Sequence, residues 1–367
     1  MFYHFLYPLK RIFSGFNLFQ YITFRAAMAA ITALLIAFIA GPFILKMLKK
    51  HQCGELIREN GPQTHLAKKG TPTMGGIIIL ISVIIPVLLW ANLKNTYVDL
   101  ILLATIWMGA IGFLDDYLKV VQKMKKGLIA RYKLLGQVSL GLIIGAYIYF
   151  SPEFASTNSL TTLPFIKDFT IDLGIFYIPI VIIFVTFVSN AVNLTDGLDG
   201  LSAGLMGIAA LAFAVIAYVS GRIDFSDYLN ILYLPGSGEL TIYAMAFAGA
   251  ILGFLWYNGH PAQVFMGDTG SLSMGCALGT MAILLKKEIL FLLIGGVFIA
   301  EGLSVVIQVT YFRWTRKRTG TGKRVFLMAP LHHHFEMKGQ DESKIVIRFW
   351  IIGILLAILG LSSFKIL

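Results

Sequence analysis

The stretch ITFRAAMAAITALLIAFIAGPFIL at residues 22–45 decides the fold, because no charged side chain follows Arg25 until Lys46. A helix needs about 20 consecutive apolar residues to cross about 30 Å of hydrocarbon. The whole chain shares this bias, since 57% of its 367 residues are apolar and 13% are charged. The sequence therefore predicts an integral membrane protein and excludes a soluble globular domain.

Similar apolar segments recur along the chain and predict an all-α polytopic membrane protein. The spaces between them are too short for a second domain, so residues 1–367 are expected to form a single membrane domain. The ten predicted spans lie near 22–45, 74–93, 98–114, 134–150, 174–192, 201–219, 241–257, 269–285, 289–312 and 345–364.

Lysine and arginine predict the orientation, because basic loops stay in the cytoplasm. Ten crossings place both termini on one side, and the basic residues concentrate in the loops of the opposite side, at 46–69, 119–133 and 313–344. The termini are therefore expected to be periplasmic. This topology, with attraction to anionic lipids, accounts for most of the net charge of +11, so nucleic acid is not an expected partner.

The outward segments predict small features. Residues 158–177 (NSLTTLPFIKDFTIDLGIFY) favour a periplasmic β-hairpin centred on Lys167 and Asp168, with an irregular loop as the alternative. An interfacial segment is expected before an uncleaved first helix. Cys53 and Cys276 indicate neither a disulfide nor a zinc site.

The third predicted span ends in two adjacent acids, Asp115 and Asp116, in WMGAIGFLDDYLKV. Carboxylates are unfavourable at the negative end of a helix dipole, so other groups must stabilise them. Neighbouring residues point about 100° apart on a helix, so only a bridging cation or a large ligand is expected to contact both. A surface ion pair between Asp115 and Lys119 is the alternative.

Two further segments, 190–200 (NAVNLTDGLDG) and 256–273 (WYNGHPAQVFMGDTGSLS), combine acids with glycines that allow close backbone approach. Scattered aspartates without a histidine–cysteine cluster suit a hard cation bound through oxygen, most simply Mg²⁺. Helix capping by the polar residues and interfacial anchoring by the aromatic one are the alternatives. The residues singled out in these segments are Asn193, Asp196, Asp199, Asn258, His260, Phe265 and Asp268.

The last inward loop contains three consecutive histidines, His332 to His334. Three neighbours do not converge easily on one ion, so phosphate or sugar contacts fit better than metal binding. Glu301 is the acid expected near mid-membrane, and such acids are costly enough to indicate function. A polar partner at a bent helix, after Gly295 and Gly296, is the other interpretation.

Five strings carry a resemblance to a known family. They are KKGTPTMGG at 68–76, GFLDDYLKV at 112–120, NAVNLTDGLDGL at 190–201, NGHPAQVFMGDTGS at 258–271 and APLHHHFE at 329–336. On these strings the chain resembles, over almost its whole length, the phospho-N-acetylmuramoyl-pentapeptide transferase (translocase I) family. That family belongs to the polyprenyl-phosphate N-acetylhexosamine-1-phosphate transferase superfamily.

The resemblance implies a ten-helix enzyme of the bacterial plasma (inner) membrane with its active site facing the cytoplasm. It implies transfer of phospho-MurNAc-pentapeptide from UDP-MurNAc-pentapeptide to undecaprenyl phosphate, which gives lipid I and UMP with Mg²⁺ as cofactor. Besides the lipid bilayer, the expected partners are a second copy of the chain and other proteins of cell-wall synthesis.

The same resemblance implies roles for individual residues. Asp115, Asp116 and Asp268 resemble the essential acids, with Asp268 as the Mg²⁺ ligand. The remaining roles concern the substrate: Asp196 and Phe265 in the uridine pocket, Lys68, Thr73, Asn193, Asp199, Asn258 and Gln308 near it, and His332 and His333 near the phosphates or sugar.

Three alternatives stay open from the sequence. A sibling enzyme that transfers GlcNAc-1-phosphate to a polyprenyl phosphate has similar acidic motifs, although the PLHHHFE and TPTMGG strings favour the muramoyl branch. An ion-coupled transporter should place several acids mid-span, and only Glu301 meets that demand. A structural scaffold has no need of acidic turns.

Overall fold

A computed structural model describes residues 1–50, 68, 70–124, 127–166 and 169–364, and each of the ten predicted spans coincides with helix. Among these residues, eight helices are long and apolar enough to cross a membrane. The helices are α1 (Phe2–Leu6), α2 (Ile22–Lys50), α3 (Gly76–Trp90), α4 (Thr96–Val120), α5 (Ala130–Phe150), α6 (Tyr177–Thr195), α7 (Leu201–Ser220), α8 (Ile223–Leu229), α9 (Leu240–Asn258), α10 (Gly267–Leu284), α11 (Glu288–Ile294), α12 (Gly296–Thr319), α13 (Leu331–Met337) and α14 (Glu342–Ser362).

The centre of the bundle consists of α7, α9 and α10, which are buried on most of their faces. Small residues allow neighbouring backbones to approach. A Cβ added at Gly249 of α9 would lie 2.2 Å from the Ala30 carbonyl oxygen of α2. In lipid, helices associate through such close van der Waals packing rather than through the hydrophobic effect.

The ninth predicted span, 289–312, is two helices in the structure. α11 and α12 meet at Gly295, which is followed directly by a second glycine, and glycine weakens a helix interior. α12 also continues through 313–319, which the sequence placed in a loop. Basic residues in this extension are good helix formers and are favoured at a helix C-terminus.

The predicted hairpin within 158–177 is confirmed, because β1 (Leu160–Thr162) and β2 (Thr170–Asp172) pair antiparallel. The Cα partners are Leu160 and Asp172, Thr161 and Ile171, and Thr162 and Thr170. Several sequence predictions fall outside the described residues: those on Cys53, Lys69, Lys125, Lys126, Lys167 and Asp168.

Three charged residues lie buried beneath this hairpin, in the turn between α10 and α11. Glu288 accepts hydrogen bonds from the Thr161 hydroxyl at 2.6 Å and the Tyr177 hydroxyl at 2.9 Å. Lys286 donates to the Tyr177 hydroxyl at 2.8 Å. Burial lowers the pKa of Lys286 and of Lys287 to about 8, against the attraction of Glu288.

The predicted interfacial segment before α2 forms α1 and short 3₁₀ turns. Phe19 stacks on Trp90 at the end of α3, with ring centroids 5.8 Å apart. Arg25 forms two hydrogen bonds to Glu239, at 2.6 and 2.8 Å, in a buried setting. These contacts fasten the chain's first residues to the same end of the bundle as the start of α9.

The acids and the hairpin lie at opposite ends of the bundle. α10 begins beside Asp268 and ends just before the buried charges under the hairpin. Its 18 residues span about 27 Å at 1.5 Å per residue. Among the described residues, basic side chains of the predicted inward loops, including Lys68, Lys119 and Lys133, lie at the acid end.

Candidate active site

Asp116 holds the start of α10 in place. Its Oδ1 accepts the backbone N–H of Asp268 at 3.1 Å, and its Oδ2 accepts the backbone N–H and the hydroxyl of Thr269 at 2.8 and 2.6 Å. The first amides of a helix lack partners within the helix, and a carboxylate there also faces the positive end of the dipole. An acid that is unfavourable at the end of α4 is therefore stabilised by the start of α10.

Two glycines allow this contact between α4 and α10. A Cβ added at Gly112 would lie 2.3 Å from the Asp268 carbonyl oxygen, and one at Gly267 would lie 2.6 Å from Asp116 Oδ2. Gly267 also has a φ of 74°, in the left-handed region that side chains disfavour. The glycines in GFLDD and MGDTG thus let two backbones meet at the acids.

Asp115 and Asp268 share two ammonium groups. Lys133 Nζ lies 2.7 Å from Asp115 Oδ2 and 2.5 Å from Asp268 Oδ2, and Lys119 contacts the same two carboxylates. Asp115 also accepts the Leu128 N–H at 2.7 Å and is completely buried. The two adjacent acids have different hydrogen-bond partners, because Asp116 accepts the first amides of α10, yet oxygens of both lie close enough for one bridging cation to contact them. The Asp115–Lys119 pair exists, but its carboxylate belongs to a buried cluster.

This acid cluster could hold a metal ion. Oxygen atoms of Asp115, Asp116 and Asp268 all lie within 4.8 Å of one another. Carboxylate oxygens without sulfur or imidazole suit a hard divalent cation. The ammonium groups of Lys119 and Lys133 already lie between two of these carboxylates, so the cluster accommodates positive charge.

A second charged cluster joins Lys68, Asp199, His260 and Glu342. Lys68 Nζ lies 2.7 Å from Asp199 Oδ1 and 2.6 Å from Glu342 Oε1. Asp199 Oδ2 lies 3.1 Å from His260 Nδ1 and accepts the Ala262 N–H at 3.0 Å. Burial opposes the charge on Lys68, but hydrogen bonds to Asp199 and Glu342 outweigh it, so the pKa of Lys68 is raised above its ordinary value.

Other predicted residues connect the segments that carry these clusters. Asn193 donates to Asp268 Oδ1 at 2.9 Å, and Asn258 accepts the Gly200 N–H at 3.0 Å. The Phe265 ring centroid lies 5.9 Å from Lys68 Nζ. Two more of the predicted site residues lie nearby. The Thr73 hydroxyl lies against Gly267, and Asp196 is half-buried at the end of α6.

The two predicted histidines have different surroundings. The His332 ring is completely buried, with Nδ1 3.2 Å from Glu301 Oε1, and its backbone N–H donates to the same oxygen at 3.1 Å. A Cβ added at Gly197 would lie 2.2 Å from His332 Nε2, so the ring packs against the 195–200 turn. Glu301 therefore lies at the acid end rather than mid-span, as a polar partner after the broken helix. His333 Nδ1 lies 2.6 Å from Glu336 Oε2.

Comparison with known proteins gives consistent matches. Residues 98–286 match the family described as Glycosyl transferase family 4, and residues 68–80 match signature 1 of phospho-N-acetylmuramoyl-pentapeptide-transferase. The chain is 52% identical to the phospho-N-acetylmuramoyl-pentapeptide-transferase of Chloroherpeton thalassium, and the match covers 100% of both chains. Proteins of the same name from Gemmatimonas aurantiaca and Desulforapulum autotrophicum are 54% and 51% identical, again over 100% of both chains.

The chain belongs to the phospho-N-acetylmuramoyl-pentapeptide-transferase family. Its resemblance on the five motif strings is thereby confirmed, and it is a multi-pass membrane transferase enzyme. The family signature covers Lys68 and Thr73, which the structure brings beside Asp199 and Gly267.

Gln308 lies apart from the hydrogen bonds of both clusters. Its Oε1 accepts the N–H groups of Val325 and Phe326, and its Nε2 donates to the Phe326 carbonyl, all at 3.0 Å. Both ends of the amide thus hold the loop that follows α12. Substrate binding by Gln308 stays a prediction drawn from the transferase family.

Sequence reasoning missed two members of the clusters. Lys133 belongs to a basic loop from which only the orientation was predicted, yet Lys133 contacts Asp268, 135 positions away. Sequence reasoning did not single out Glu342, because an acid in the first turn of a helix is ordinary. For Lys133, the basic loop after α4 was the available sequence signal. The sequence contains no comparable signal for Glu342.

Proposed function

We propose that the protein transfers phospho-MurNAc-pentapeptide from UDP-MurNAc-pentapeptide to undecaprenyl phosphate, giving lipid I and UMP. The observation that carries this proposal is the pair of buried Asp115 and partly buried Asp268, bridged by Lys119 and Lys133 at one end of the spanning helices. The names of the relatives supply the sugar and peptide part of the substrate.

The reaction forms and breaks one P–O bond. An oxygen of the lipid phosphate attacks the sugar-bearing phosphorus, the bond to the bridging oxygen breaks, and UMP leaves with that electron pair. Phosphoryl transfer of this kind depends on alignment and charge stabilisation. Lys119 and Lys133 supply ammonium groups for the pyrophosphate oxygens. Mg²⁺, held by Asp268 with Asp115 beside it, supplies further positive charge there when bound.

A general base is not required in this scheme. The second pKa of a phosphate monoester is about 6, so the lipid phosphate is mostly a dianion at neutral pH. Asp115, which is fixed by Lys133 and by the Leu128 N–H, orients the nucleophile instead. Asp116 acts indirectly, because its hydrogen bonds to the first amides of α10 fix the position of Asp268.

The substrate extends from the acid cluster to the second cluster. The Phe265 ring offers a surface for the uracil base beside Lys68, and Asp196 completes the uridine pocket. His333, which is partly exposed, lies near the phosphates or sugar, and the completely buried His332 ring supports the 195–200 turn beside them. A soluble nucleotide sugar and a membrane-bound prenyl phosphate meet only at a membrane face. The basic loops support the cytoplasmic face, which in our proposal is that of a bacterial plasma membrane.

The test is UMP release by the detergent-purified chain given UDP-MurNAc-pentapeptide, undecaprenyl phosphate and Mg²⁺. Asp268→Ala should abolish release. Asp224→Ala is the matched control, because Asp224 also lies in the first turn of a helix but forms its ion pair with exposed Arg222 at the opposite end. Release from UDP-GlcNAc instead would assign the protein to the sibling branch, and no release from either donor by folded protein would refute the proposal.

A further inference from the structure

Glu342 belongs to the second cluster, yet neither the motif strings nor the transfer chemistry uses it. It lies in the first turn of α14, and its side chain is 9% exposed. Its Oε1 accepts both Lys68 Nζ at 2.6 Å and the Asp199 N–H at 2.7 Å, and its Oε2 lies 3.7 Å from His260 Nδ1. One carboxylate thus connects the last spanning helix to three other segments of the chain.

We propose that Glu342 is a positioning residue for nucleotide binding, which fixes the Lys68 ammonium and the Asp199 backbone in the pocket for the base. This inference rests on the proposed function, because it takes a uridine nucleotide as the ligand. Glu342 acts through its neighbours and makes no contact with reacting atoms.

Lysine needs such positioning because its side chain is long and flexible. Ordering a lysine side chain costs conformational entropy, because several rotatable bonds must be fixed. Glu342 and Asp199 both form ion pairs with the Lys68 ammonium group, so its position is fixed before a ligand binds. A donor held in its bound position loses less entropy on binding, so the nucleotide binds more tightly.

Glu342 also contributes to the net charge of the second cluster, where the ligand is proposed to bind. Two carboxylates surround one ammonium group, so Lys68, Asp199 and Glu342 together carry a net charge of −1. Lys68 is therefore a hydrogen-bond donor for a neutral carbonyl, such as those of a pyrimidine base, and a poor attractor of phosphate. In the acid cluster, Lys119 and Lys133 offset two of the three carboxylates and leave a net charge of −1, which bound Mg²⁺ would change to +1. The nucleotide therefore binds with its base at the second cluster and its phosphates at the acid cluster. In the reversed orientation, the phosphates would be repelled by the net negative charge of the second cluster.

The experiment compares Glu342→Ala and Glu342→Gln with wild type in the full-length detergent-purified protein. Glu342→Ala should raise the Kd for UMP, measured by calorimetry, at least about 10-fold. It should raise KM for the UDP-linked donor similarly while kcat stays within about 3-fold. Glu342→Gln keeps a hydrogen-bond acceptor, so its UMP affinity should stay within about 3-fold of wild type, the conservative rescue that a positioning role requires.

Two further measurements separate positioning from simple helix anchoring. Adding Glu342→Ala to Lys68→Ala should weaken UMP binding by no more than about 2-fold, because the two side chains act as a unit. Inorganic pyrophosphate should inhibit Glu342→Gln more strongly than wild type, since the net negative charge is gone. Asp341→Asn is the matched control. Asp341 is the exposed acid next to Glu342 in the sequence and pairs with Lys344, and its variant should behave as wild type.

Unchanged UMP affinity in Glu342→Ala would overturn the inference, even if the variant melts at a lower temperature. So would independent, additive effects of the Lys68 and Glu342 substitutions. Failure of the proposed function looks different, because wild type itself would then neither bind UMP nor release it from UDP-MurNAc-pentapeptide. In that case both proposals fall together.

Discussion

Replacing Gly112 with alanine is expected to remove nearly all turnover while leaving the protein folded. The added Cβ would lie 2.3 Å from the Asp268 carbonyl oxygen, 2.7 Å from its carbon and 2.8 Å from Thr269 Cα. All three are backbone atoms and cannot rotate away. Ordinary contact begins at 3.4 Å, so α4 and α10 must separate by about 1 Å at this point.

A separation of this size acts directly on the acids. The hydrogen bonds from Thr269 to Asp116 are 2.8 and 2.6 Å long, and lengthening them by about 1 Å takes them beyond useful range. Asp268 moves with α10 and leaves the position in which it shares Lys133 with Asp115. Misplacement of reacting groups by about 1 Å costs roughly 100-fold in rate.

The assay is kcat/KM for UMP release, with thermal melting in detergent as the test of folding. Gly109→Ala is the matched control, because it lies one turn earlier on α4 and makes the same change in helix propensity. The three atoms nearest to its Cβ all belong to the Leu80 side chain, the first at 3.0 Å, and that side chain can move. It should stay within about 3-fold of wild type. A folded Gly112→Ala variant with kcat/KM close to that of Gly109→Ala would refute the reasoning.

Three further substitutions test other parts of the molecule. Asp115→Asn should be inactive throughout the accessible pH range, and recovery of UMP release at high pH would instead assign Asp115 as the base. Glu301→Ala leaves the buried His332 N–H without its acceptor at a cost of about 1–3 kcal/mol. The melting temperature of Glu301→Ala should fall by several degrees, whereas Glu301→Gln should retain most of the stability. Equal melting temperatures of the two variants would contradict the role of Glu301 as the acceptor. The folded pKa of Lys287 is about 8 and its ordinary value is 10.5, so between these values the unfolded chain binds more protons and stability rises with pH. The melting temperature of wild type relative to Lys287→Met should therefore increase from pH 8 to 10, and a constant difference would count against burial of the charge.

The spans and the acidic motifs were predictable because their signals are local. Twenty apolar residues in a row indicate a crossing wherever it packs, and the strings around Asp115 and Asp268 indicate oxygen chemistry on their own. The break at Gly295 was less visible, because a pair of glycines does not say whether a helix bends or ends. The bundle's packing decided that.

The partners of the acids were not predictable for a different reason. Lys133 reaches Asp268, and Glu342 reaches Lys68, 274 positions away, only because separate helices meet at one end of the bundle. Neither residue carries a pattern that distinguishes it from an ordinary loop cation or an ordinary first-turn acid. Contacts of this range depend on how the helices pack, which hydropathy does not report.

The glycine contact between α4 and α10 also limits how the site can change under selection by an inhibitor. Any side chain at Gly112 or Gly267 would meet atoms at 2.3 or 2.6 Å, so drug-resistance mutations at these positions should carry a heavy cost in growth. A compound that binds the backbone at the start of α10 would therefore face few routes of escape. Resistance to it is expected to arise in peripheral loops, where side chains can vary without moving the acids.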